Sequence, residues 1–149
     1  MNLIRAERLA RSLMWEYGLI PNGWDFAWNR QVGVFGLCHY ERYTIYLSKV
    51  LTPQLTVAQT ENIIRHEIAH ALVGPSHGHD EVWRHQARLI GCTGNTTEAY
   101  KAVVKPKWQA KCPVGNHLVG RPRHRRVLKN SPVCSKHRRP VTWASLIGE

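Results

Sequence analysis

The sequence predicts an α+β protein: a small antiparallel sheet packed on a histidine-bearing helix and its flanking helices, followed by a small metal-stapled C-terminal module. Three observations predict it. Apolar residues recur at helical spacing in three segments, short β-rich runs lie between the first two, and the composition changes sharply near Pro106. The chain has 149 residues, 43% hydrophobic and 21% charged. That is enough for one moderate core and a small appendage.

Leu3, Ala6, Ala10, Leu13 and Tyr17 place one apolar stripe on a helix over 2–17 that stops at Gly18. Pro21-Asn22-Gly23 breaks the chain, and runs at 24–28, 32–39 and 43–47 read as the strands of the sheet. Thr56-Val57-Ala58-Gln59 fits a capping box and Gly74-Pro75 a stop, which bounds a helix over 57–73. Its residues Ile63, Ile64, Ile68, Ala71 and Leu72 are predicted to face the sheet. Asp80 caps a further helix ending at Gly91, with Val82, Trp83, Leu89 and Ile90 as its apolar side, and a short helix follows Thr96 or Thr97.

The net charge of +11 is not spread evenly. Residues 1–100 hold nine Lys/Arg against nine Asp/Glu, whereas residues 101–149 hold twelve against one. The basic third is rich in Pro and Gly and short of apolar pattern, so it needs a staple to fold. No apolar run is long enough for a membrane span, and the amphipathic start has no signal-peptide block. A soluble, monomeric intracellular protein, cytoplasmic or nucleoid-associated and not secreted, is the expectation.

The stretch His66-Glu67-Ile68-Ala69-His70 carries the chemistry. Residues four apart share a helix face, so both imidazoles can reach one cation, and Glu67 can act as general base toward a water that the cation activates. A catalytic zinc site takes three protein ligands. A third histidine at the metzincin position is excluded, because Ser76 stands there. Glu98 is available on a later segment, but His77 and His79 are much closer.

A second constellation is Cys112-Pro-Val-Gly-Asn-His117 and, further on, Cys134-Ser-Lys-His137. Two short ligand pairs separated by a loop follow the logic of a structural zinc ribbon, in which four ligands close a tetrahedron. Zn2+ is therefore the expected cofactor, one catalytic and one structural. Cys38 and Cys92 have no such partners and read as small buried residues, while His39, His85 and His124 read as structural or solvent-facing. Around the ribbon stand Lys107, Lys111, Arg121, Arg123, Arg125, Arg126, Arg138 and Arg139, a density that favours phosphate backbones and makes nucleic acid the expected partner. Trp108 and Trp143 could stack on bases or pack against the ribbon.

His66-Glu67-Ile68-Ala69-His70-Ala71-Leu72, followed by Gly78-His79-Asp80-Glu81-Val82-Trp83, resembles the SprT-like (Spartan-type) metallopeptidase family. Gly36-Leu37-Cys38 and Ile45-Tyr46-Leu47-Ser48 are similar to the strands that precede its helix. The resemblance implies a zincin-like fold, His79 as third ligand and Trp83 as the motif's aromatic. It also implies a catalytic domain over 1–104 and a nucleic-acid-binding ribbon over 105–149, as many members carry. The implied activity is zinc-dependent cleavage of DNA-bound or DNA-crosslinked proteins, with DNA as platform. Asp80 stands where the family often has a second glycine, and His77 is the alternative ligand. The competing classes are a nucleic-acid-binding zinc protein with a non-proteolytic histidine site, which has no need of Glu67, and a metal-dependent nuclease, which would need clustered carboxylates.

Overall fold

Asn2 opens the first helix by accepting the Ile4 and Arg5 N–H groups on its side chain, and α1 (Leu3–Glu16) runs until Gly18 turns left-handed at φ 76°. The structure, a computed structural model, describes residues 1–95, 100, 108–120 and 132–146. The helix expected after Thr96 or Thr97 lies outside these residues. The chain divides into two compact units, Met1–Val104 and Lys105–Glu149.

In the first unit, strands β1 (Asp25–Asn29), β2 (Gly36–His39) and β3 (Thr44–Ser48) form a sheet in the order β1-β3-β2. The expected antiparallel sheet is corrected here to a mixed one. β3 pairs antiparallel with β2 but parallel with β1, in the register Phe26 to Ile45 and Trp28 to Leu47. The chain crosses from β1 to the far edge, turns at a 3-10 helix over Tyr40–Arg42 with Tyr43 at φ 47°, and returns through the gap. Strand patterns fix which residues are extended but not the order of neighbours. As the central strand, β3 buries Thr44, Ile45, Leu47 and Ser48, on both faces of the sheet.

Thr56 and Gln59 satisfy one another's backbone N–H groups in a capping box that opens α2 (Val57–Val73). Gly74, at φ 86°, ends it. Ile63, Ile64, Ile68 and Ala69 of α2 pack with Leu13 and Met14 of α1, Phe26 of β1 and Leu47 of β3 in one core. Arg65 ties the outer side of α2 to its surroundings, donating to Glu61, to Tyr17 Oη at 2.6 Å and to the Ile90 carbonyl.

Asp80 caps α3 (Glu81–Leu89), its side chain accepting the Trp83 N–H. Trp83 and Ala87 are fully buried, whereas Val82 and Leu89 are 50% and 66% exposed, contrary to the expected apolar side. Val82 and Leu89 are seven residues apart and share a face rotated by about 100° from the Trp83–Ala87 stripe. Leu72, in the last turn of α2, is also exposed. Periodicity assigns a face, but it does not say how far the neighbouring elements extend along it.

The second unit holds β4 (Trp108–Lys111), β5 (Leu118–Gly120) and β6 (Ala144–Ser145), antiparallel in the order β5-β4-β6. Its core is small: Ala110, Cys112, Cys134 and Val141, with Val119 and Trp143 against them. Among the described residues no helix is long and apolar enough to cross a membrane.

Candidate active site

One turn of α2 separates His66 from His70, and the loop after Gly74 brings His79 up to both. His79 Nε2 lies 3.0 Å from His66 Nε2 and 3.0 Å from His70 Nε2. Four-coordinate zinc with Zn–N bonds of about 2.0–2.1 Å sets its ligand nitrogens about 3.3 Å apart. The three imidazoles are therefore spaced as a metal would hold them. A neutral imidazole carries a single N–H, so three Nε2 atoms meeting at one point cannot all be satisfied by hydrogen bonds among themselves. Burial, and then repulsion from His79, pushes His70 down to about 4, which keeps its nitrogen lone pair free at neutral pH.

Trp83 forms the floor of this group. It is fully buried, its ring stacks on His70 at 5.1 Å, and its edges meet His66 and His79 at 4.6 and 4.5 Å. Behind His70, Tyr40 donates its hydroxyl to the His70 carbonyl at 3.2 Å. Sequence reasoning marked Trp83 as an aromatic but missed Tyr40, whose bond spans thirty residues and leaves no local signal.

Glu67 lines the same cavity as the three histidines and packs against β2 at Gly36. It is 8% exposed, and the Cys38 backbone N–H donates to its carboxylate. Burial pushes the carboxyl up to about 8 against that hydrogen bond, so the group holds a proton more readily than a carboxylate in water. Gly36 is what allows the approach: a Cβ there would stand 2.8 Å from Glu67 Cγ and Oε1 and 2.9 Å from Ile63 Cγ2. Cys38 is half-buried rather than fully buried, and burial and then the nearby Glu67 push its thiol up to about 12, an unreactive value.

His77 does not join the triad. Its Nδ1 pairs with Asp80 Oδ2 at 2.8 Å, while Asp80 Oδ1 accepts the Trp83 N–H at 3.0 Å. The aspartate thus caps α3 and holds the spare imidazole at once.

In the second unit Cys112, His117, Cys134 and His137 converge, all four ligand atoms within 4.8 Å of one another. Cys112 Sγ is 3.3 Å and Cys134 Sγ 3.7 Å from His137 Nδ1, and His117 Nε2 is 3.1 Å from Cys134 Sγ. A zinc tetrahedron with two sulfurs and two nitrogens has edges of about 3.3–3.8 Å. Each ligand pair sits on a tight turn with one residue at φ 49°, Asn116 in the first and Arg138 in the second. Burial pushes the Cys112 thiol up, but the Gly115 and Val114 N–H groups and the Cys134 and His137 side chains outweigh it and bring it to about 7. Such a thiol gives up its proton to a metal readily.

Of the basic residues, Lys111, Arg138 and Arg139 are exposed on this unit; Lys107, Arg121, Arg123, Arg125 and Arg126 lie outside the described residues. Trp143 packs over Gly120, where a Cβ would meet its ring at 2.8 Å.

A family model of SprT-like proteins matches residues 9–103, nearly two-thirds of the chain. The chain belongs to the SprT-like family. No curated protein and no solved structure matched it. SprT-like proteins are associated with metallopeptidase-like activity, and in this SprT-like chain His66, Glu67, His70 and His79 all fall within the matched span. The Cys112–His137 group lies beyond it. Both groups have donor sets suited to a metal ion.

Proposed function

We propose that this SprT-like chain is a zinc endopeptidase that hydrolyses peptide bonds of DNA-bound or DNA-crosslinked proteins. The reading is carried by the convergence of His66, His70 and His79 beside a buried carboxylate. His66, His70 and His79 would hold the zinc, which when bound supplies a Lewis acid that acidifies water and polarises a peptide carbonyl. Glu67 takes the water's proton on its carboxylate and passes it to the leaving amine. The Cys38 N–H and the space left by Gly36 hold that carboxylate in place. Trp83 and Tyr40 fix the ligand-bearing turn. A site that served structure alone would have no use for a carboxylate in this position.

The second unit is proposed as a zinc-stapled nucleic-acid-binding module, with Cys112, His117, Cys134 and His137 as ligands. Its support is the charge division of the chain and the exposure of Lys111, Arg138 and Arg139. DNA is the partner and platform, and the protein works as a monomer inside the cell. Glu67→Gln protein, assayed in parallel on naked DNA and on DNA-crosslinked protein, should retain two zinc ions per chain and lose proteolysis. Proteolysis that survives the substitution contradicts the assigned base, and cleavage of naked DNA by the unsubstituted protein would favour a nuclease.

A further inference from the structure

A cavity of about 500 Å³ opens beside the three histidines, within the first unit. This is a size that encloses a side chain together with its adjoining backbone. Resting on the zinc-peptidase reading, we propose that this cavity receives an aliphatic or aromatic side chain of the substrate next to the bond that is cleaved, so that apolar segments of unfolded protein are selected over charged ones.

The walls carry the argument. Val34 and Phe35, from the loop before β2, and Ile63 of α2 line the cavity next to His66 and His79. Phe35 is held edge-on against Tyr100, with ring centroids 5.8 Å apart, and Ile63 is buried against Gly36, so these walls are formed before any ligand arrives. Among the described residues no lysine, arginine or aspartate lines the cavity, and the one carboxylate there, Glu67, is already engaged by the Cys38 N–H. A charged side chain entering would lose its hydration and meet no fixed partner, whereas an apolar one exchanges water for packed carbon. At the rim, Gly33 and Gly78 would each place a Cβ with nothing within 4 Å, which leaves room for the substrate chain on either side of the buried residue.

The test uses the full chain loaded with zinc and four N-acyl amino-acid hydroxamates, which anchor on a metal and differ in one side chain: leucine, phenylalanine, lysine and aspartate. Dissociation constants are measured by calorimetry, with zinc content read on the same sample. The leucine and phenylalanine compounds should bind roughly 10- to 100-fold more tightly than the lysine and aspartate ones. Val34→Asp, at a wall position that is 45% exposed, should shift the lysine-to-leucine ratio at least about tenfold toward lysine. Four affinities within twofold of one another, a preference for a charged side chain, or a ratio that Val34→Asp does not move would each overturn the proposal while leaving the zinc site standing. If His66→Ala protein binds as much zinc as the unsubstituted chain, the underlying reading fails, and this inference falls with it.

Discussion

Gly36 and Glu67 occupy one packing position between them: a Cβ at residue 36 would lie 2.8 Å from both Cγ and Oε1 of the glutamate. The backbone of residue 36 is not left-handed, so an alanine there meets only a steric objection. Something must give, and the flexible partner is the Glu67 side chain. Gly36→Ala should therefore displace the general base while the histidines stay in place. A general base contributes about 100-fold or more to rate, so kcat/KM should fall by about that factor with zinc content unchanged. Unchanged activity would mean that the carboxylate does not need this position.

The division of labour between His77 and His79 can be read by metal analysis. His79 closes the triad at 3.0 Å from both other imidazoles, whereas His77 is paired with Asp80. His79→Ala should weaken zinc binding to the first unit by at least about tenfold, and His77→Ala should leave zinc content as it was. The reverse result would exchange their roles.

Cys134→Ala removes one of four converging ligand atoms from a unit whose core, among the described residues, contains four buried apolar residues. With so little apolar burial, metal binding and folding of this unit are expected to be one event. The variant should lose one equivalent of zinc and its affinity for DNA, and the first unit should keep its own zinc. Retention of both zinc ions would mean that Cys134 is not a ligand and that the second unit is not stapled by this site.

How much of this was legible in the sequence depends on the range of the interactions involved. The bounds of α2 follow from Thr56, Gln59 and Gly74, and the start of α3 from Asp80, because caps act within a few residues. The pairing of His66 with His70 follows from helix periodicity alone. The sequence left His77 and His79 both open, since what separates them is a pairing with Asp80 that spacing does not reveal. The parallel pairing of β1 with β3, the Tyr40 hydroxyl on the His70 carbonyl and the contact of Gly36 with Glu67 all join distant segments, and no local pattern encodes them. Gly36 was visible only as part of a strand-like motif. A glycine inside a strand is the one local signal of a close approach to the backbone there.

The proposed chemistry needs a zinc ion held by three named nitrogens. The most direct measurement is an anomalous difference map recorded at the zinc absorption edge from crystals of the zinc-loaded protein. A peak is expected about 2.0–2.1 Å from the Nε2 atoms of His66, His70 and His79, beside the Glu67 carboxylate. A peak bound by His77 in place of His79, or no peak at α2 while the Cys112–His137 site is filled, would contradict it.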